Sequence, residues 1–197
     1  MTIAAQAGGP LSDELQVAVA PEKTYQRLLA DEPPSGGRSL LRRLALVLLV
    51  IATLVPIMAV RRVTLGLIAT AAVSWGFVVS IQIAIGAGVI RTAPKRRAGM
   101  LRALDLWFAG HLPYNLWVLF GFAWMASSAS GLRGILAVSA IVPAAWAAVI
   151  VCAFCRVVLQ ETRDGARWRA AAHCVVVWTI ALTYLAWSAG GWFQLLP

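Results

Sequence analysis

The sequence predicts an all-α, polytopic membrane protein with five transmembrane helices, its amino terminus inside and its carboxyl terminus outside. Three observations carry that expectation. Five long apolar runs, Leu44–Val60, Val63–Ile90, Leu104–Ala126, Ile135–Val158 and Ala170–Ala189, each approach or exceed the roughly 20 residues needed to cross a hydrocarbon core about 30 Å thick. The gaps between them are alternately basic and nearly uncharged. With 60% hydrophobic residues in 197, the chain has room for one membrane domain and little else.

Charge placement sets the expected orientation. Of the 17 Lys and Arg, all but Arg61, Arg62 and Arg133 fall in the amino-terminal tail, in the gap around Arg91–Arg102, or in the gap around Arg156–Arg169. Cytoplasmic loops favour Lys and Arg, so these three segments belong on the inside. The net charge of +9 then reports topology and contact with anionic lipid, and no nucleic-acid partner is expected. The Arg-rich, Ala-rich composition associates with a GC-rich bacterial gene, hence a bacterial inner membrane.

Taken in order, residues 1–39 read as a cytoplasmic tail and residues 40–197 as the transmembrane domain. No early apolar core marks a cleavable signal, so the first span is expected to be an uncleaved anchor. Residues 1–10 look disordered. Pro21 suits the first position of a short helix, PEKTYQRLLADE, because its missing N–H is unneeded there. Tyr25, Leu28 and Leu29 share one face, which would rest on the inner membrane surface or simply precede the span in solvent. Pro33, Pro34, Gly36 and Gly37 then end the helix. Spans one and two form a hairpin around Arg61–Arg62. In span two, Ser80, Ala84 and Gly88 offer a small-residue face for close packing. Pro56, Pro113 and Pro143 lie within or near spans and can kink them. The outward segments, Ser127–Gly134 and the tail GGWFQLLP, are short. Trp124 and Trp192 sit near the outer interface, Trp107 and Trp168 near the inner.

Polar groups in spans raise the question of function. His111 and Asn115 in DLWFAGHLPYNLW are four apart, hence on one helix face. His111 lies about 9 Å along the helix from Asp105, and His173 about 6 Å beyond Arg169, at roughly 1.5 Å per residue. The two histidines of the chain thus share a depth, with Gln82 and Cys152 nearby. One reading is a haem held by His111 and His173, or a metal held by them with Cys152 or Cys174. A second is an inward-facing substrate cavity lined by Gln82, His111 and Asn115. A third is interhelical hydrogen bonding, worth about 0.6–2 kcal/mol per contact. Cys152-Ala-Phe-Cys155 has redox-motif spacing but falls at the cytoplasmic, reducing end, where two small apolar fillers explain it. No acidic residue lies deep in a span beside a histidine, and no hydrolase or phosphate-loop motif occurs. No enzyme is expected.

The layout, a short inner tail before five spans and an outward end, together with the segment ELQVAVAPEKTYQRLLADEP, resembles the Yip family of membrane proteins. The Asp-Leu-Tyr-Gly-Pro type of motif of eukaryotic members is not seen, and Asp105-Leu106-Trp107 lacks the Gly-Pro that would complete it. The resemblance implies a scaffold or interaction subunit whose partners are the bilayer and other membrane proteins. It carries over no functional residues.

Overall fold

A computed structural model describes residues 10–31, 36–60, 62–127 and 138–193. The stretch 1–9, the Pro33–Pro34 break, Arg61, Arg133 and the last four residues of the tail lie outside the described residues. Within them all regular structure is helical. The helices are α1 (Pro10–Val19), α2 (Pro21–Ala30), α3 (Gly36–Val60), α4 (Leu65–Arg91), α5 (Met100–Ala109), α6 (Leu112–Ser127), α7 (Ile141–Val157) and α8 (Arg163–Phe193).

Two of these, α3 and α4, are long and apolar enough to cross a membrane by length and composition. A third or less of each is buried within the protein. Leu49, Val50 and Ile57 of α3, with Val73 and Phe77 of α4, point outward. A helix apolar on every side suits a lipid solvent and would be an aggregation hazard in water. The apolar helix α7 is shorter.

α3 begins eight residues before the expected first span, so Ser39 and Arg43, four apart, enter the bundle on one helical face. Pro56 lies inside α3 without ending it. α4 matches the expected second span to within two residues at each end. Thr64 caps it, its side-chain oxygen accepting from the Leu67 N–H at 3.2 Å.

The run Leu104–Ala126 is not one helix, contrary to the expectation. α5 ends at Ala109 and α6 starts at Leu112. Pro113 has no N–H to donate, and its ring would press on the Ala109 carbonyl in an unbroken helix. Tighter bonds bridge the break. The Gly110 N–H donates to Trp107 O at 3.1 Å, and the His111 N–H to Phe108 O at 3.2 Å. Gly110 also sits where a Cβ would come within 2.7 Å of Ile150 Cγ2 and 2.8 Å of the Tyr25 hydroxyl. The expected spans Ile135–Val158 and Ala170–Ala189 correspond to α7 and to part of α8.

The tail is not a separate layer. α1, which has no counterpart among the expected elements, folds back on α2 across Ala20. The Thr24 hydroxyl donates to Gln16 O and Ala20 O, and Arg27 reaches Asp13 at 2.8 Å and Gln16 at 3.1 Å. Val17, Ala18, Tyr25 and Leu28 of this hairpin are buried in the same core as Leu104–Ala109 of α5 and Ile150–Val158 at the end of α7. The expected surface helix is therefore a docked one. A second core, around Ile51, Trp75, Trp117, Val118 and Trp178, fills the bundle further from the hairpin.

Between α7 and α8, Gln160 takes a left-handed backbone, with φ 53°. Such a conformation costs a non-glycine residue about 1–2 kcal/mol, part of which glycine regains. Gln160→Gly is expected to stabilise the protein by about 1 kcal/mol, raising the melting temperature in detergent by a few degrees. A lowered melting temperature would show that the Gln160 side chain makes a contribution of its own.

Candidate functional site

Two adjoining polar features occupy the hairpin end of the bundle. The first is an ion network around Asp105, which is 0% exposed. One carboxylate oxygen accepts from Arg43 Nε at 3.1 Å and the other from Arg102 at 2.8 Å, with the Ser39 hydroxyl 3.1 Å from both. Arg43 also reaches Glu14 of α1 at 2.9 Å, with both side chains more than nine-tenths buried. Arg102 further donates to Leu28 O, in the last turn of α2, at 2.6 Å. Two cations thus face two carboxylates, and the network joins α1, α2, α3 and α5.

Burial pushes the Glu14 carboxyl above its ordinary value of 4.5, and the Arg43 guanidinium pulls it only partly back, with Asp13 and Asp105 adding to the rise. Burial likewise raises the Tyr25 hydroxyl.

The second feature surrounds the Trp107 indole. Its ring meets His173 at 4.7 Å between centroids, Phe154 at 5.2 Å and His111 at 5.8 Å. Phe108 stacks on His111 at 4.9 Å. Gly86 makes the seat, since a Cβ there would come within 2.8 Å of Trp107 Nε1. His111 Nδ1 lies 3.0 Å from Trp107 O, so a proton on that nitrogen is shared with a carbonyl that also accepts the Gly110 N–H. A chamber of about 20 Å³, lined by Gln82, Trp107, His111 and His173, lies among these rings. Gln82 Oε1, Trp107 Nε1 and His173 Nδ1, on residues that line it, are buried without a hydrogen-bond partner among the described residues. That volume fits about one water molecule, and buried unpaired polar atoms are the partners such a water takes.

The two candidate histidines therefore both meet the Trp107 indole and line one chamber beside it. A porphyrin would enter only if that ring moved. Cys152 and Cys174 are half-buried and Cys155 is buried, all three as free thiols. Among the described residues no three His, Cys, Asp or Glu side chains gather as a metal site.

Gln82, His111 and Asn115, the residues assigned to a substrate cavity, line one crevice of about 20 Å³ together with Arg43, Trp75 and Tyr114. Its narrowness limits an occupant to the size of a water in this conformation. The site residues that the sequence reading missed are Ser39, Arg43, Arg102 and Glu14. A signal was present, in Ser39 and Arg43 four apart and Arg102 and Asp105 three apart, each pair sharing a helix face.

Fold and site together define a class, an all-α protein with two helices able to cross a membrane and a buried ion network closing one end. Comparison with protein-family models, with curated proteins and with solved structures gives no match in any of the three.

The network makes two substitutions unequal. Asp105→Asn strips the buried Arg43 and the partly buried Arg102 of their shared carboxylate and is expected to cost about 3 kcal/mol. Glu14→Gln is expected to cost less, because burial already penalises the Glu14 charge. The raised Glu14 carboxyl binds its proton more tightly folded than unfolded. Its contribution to stability is full below 4.5 and is lost as pH rises through the folded value. Thermal melts in detergent between pH 4.5 and 7 check both points. Equal losses for the two variants, or an unaltered pH slope in Glu14→Gln, would contradict this account of the network.

Proposed function

We propose that this chain is a five-span protein of a bacterial inner membrane, amino terminus in the cytoplasm, working as a non-enzymatic scaffold or interaction subunit similar to the Yip family. The observation that carries the reading is the docked hairpin. A tail fastened by buried ions to α3 and α5, and packed on the end of α7, gives the inner face a fixed shape, as a partner-binding surface needs. That face is basic, which suits both the inner orientation and anionic lipid. The enclosed crevices, each about 20 Å³, have room for water and for little else. Under this reading α5 and α6 cross as one broken span. A break at membrane depth is tolerable because the bundle and His111 satisfy the freed groups.

Single cysteines in a cysteine-free background test the topology. Arg62→Cys is expected to react with an impermeant maleimide from outside intact cells, and Arg96→Cys and Thr162→Cys only after permeabilisation. Labelling of Arg96→Cys in intact cells would overturn the orientation. For the scaffold role, a photo-crosslinking residue at Gln26 is expected to give a discrete adduct, and one at Phe77 only lipid adducts. No adduct from the inner face would count against it.

One observation favours a second reading, a permease component. Gln82, His111 and Asn115 share a crevice, and Gln82 Oε1 is buried and unpartnered. If that crevice opens to a solute, alanine at any of the three is expected to abolish its uptake at unchanged protein abundance. Unchanged uptake, or mere loss of protein, would dispose of this reading.

A further inference from the structure

Several cations at the hairpin end are already engaged. Arg43 and Arg102 hold Asp105, Arg156 pairs with Glu22, and Arg169 holds Glu161 at 2.5 Å. Arg169 also donates to Val89 O and Thr92 O at the end of α4. Of those that are not so bound, Lys23, Arg163 and Arg167 stand together. Lys23 and Arg163 are exposed and have no ion-pair partner among the described residues, and Arg167 meets only the exposed Asp164, at 3.5 Å. All three, with the Arg156–Glu22 ion pair beside them, line one open groove of about 460 Å³ between the α1–α2 turn, the end of α7 and the start of α8, which leaves three cations there unneutralised by Glu22. Its floor is apolar, made of Ala20, Val149, Cys152 and Ala153.

The groove does not end blindly. Val142, Val149 and Arg156 are seven apart on α7 and therefore lie on one face. Val142 is 71% exposed and Val149 60% exposed. From Arg156 to Val142 this strip runs about 21 Å along the helix axis, longer than one leaflet of hydrocarbon. A cationic mouth thus opens onto an uncovered apolar track at right angles to the expected membrane plane. Trp168, 77% exposed in the first turns of α8, stands where an indole anchors at the headgroup level.

We infer that this groove binds one anionic phospholipid, its phosphate among Lys23, Arg163 and Arg167 and an acyl chain along the Val149–Val142 strip of α7. The inference rests on the membrane reading above and adds to it a defined lipid site. Charge complementarity selects the headgroup, since a zwitterionic lipid brings a cation of its own to a mouth holding three. The apolar track selects a lipid over a free anion. The occupant would also cover the thiol of Cys152 on the groove floor.

The test uses the full-length protein in neutral detergent, with dioctanoyl phosphatidylglycerol as probe and occupancy read by native mass spectrometry. One phosphatidylglycerol per chain is expected to bind at least about tenfold more tightly than dioctanoyl phosphatidylcholine. The triple variant Lys23→Gln, Arg163→Gln, Arg167→Gln is expected to bring the two lipids to equal affinity. Its melting temperature with phosphatidylcholine should stay that of the wild type, because the three side chains are on the surface. Arg96→Gln, an exposed cation outside the groove, is expected to leave the preference intact. In a second measurement, saturating phosphatidylglycerol is expected to slow alkylation of Cys152 severalfold, and inorganic phosphate is not.

Equal affinities in the wild type, or a preference that survives the triple variant, would overturn the site. Protection of Cys152 by inorganic phosphate alone would replace the lipid by a free anion and overturn it equally. Binding in detergent does not depend on orientation. A failed cysteine-topology map with intact lipid preference would therefore sink the membrane orientation alone, and the converse would sink the lipid site alone.

Discussion

The hairpin end of this protein depends on one fully buried carboxylate. Asp105 accepts from Ser39 and Arg43 of α3 and from Arg102 of its own helix, and those arginines in turn reach Glu14 of α1 and the Leu28 carbonyl of α2. Buried ion pairs are weak stabilisers on balance, because desolvation offsets most of the attraction. They are demanding about geometry, however. An apolar contact tolerates a sliding tail, whereas a guanidinium held by two carboxylates does not. The network therefore fixes where the hairpin sits more than how stable the bundle is.

The same logic recurs at the helix ends. The last carbonyls of a helix lack intrahelical donors, and at four helix ends here one of them finds a donor far along the chain. Trp146 Nε1 donates to Ala18 O of α1, Arg102 to Leu28 O of α2, Arg169 to Val89 O of α4, and the Arg97 N–H to Val158 O beyond α7. Three of the four donors are positive side chains or lie beside them, which suits the negative end of a helix dipole. Three of these four helix termini meet arginines from the basic gaps, so those gaps serve packing, whatever part they have in orientation.

How much of this could be read from the sequence follows from range. Periodicity and apolar length are local properties, and they place α4 to within two residues at each end and find α7 and α8 with looser ends. The apolar length of Leu104–Ala126 concealed the break, although Pro113 and Gly110 were both in view. The decisive fact there was spatial, because Tyr25 and Ile150 press on Gly110 from other helices. Depth placed His111 and His173 at the same level without showing that both meet the Trp107 indole, for which Gly86 leaves the room. The charges were read as an orientation signal, a property of the chain as a whole. Which arginine meets which acid is a pairwise matter, decided across 62 residues for Arg43 and Asp105. Composition has no access to it.

These constraints divide the molecule by rigidity. Near the hairpin, ion pairs, helix-end bonds and the Trp107 cluster leave each element little freedom. Further along the bundle the second core is built from aromatic and aliphatic contacts, as in Trp117 and Trp178 with centroids 5.0 Å apart, which permit small shifts without breaking a bond. Between the two regions lie the Gly110–His111 break and the one-water chamber. A break supported by a side-chain bond is a natural hinge, since His111 can exchange the Trp107 carbonyl for water at little loss. Motion at that hinge would open or close the crevice shared by Gln82, His111 and Asn115 while leaving the hairpin end in place. Scaffold and permease then differ in whether this hinge moves, and the fixed hairpin end is required by both.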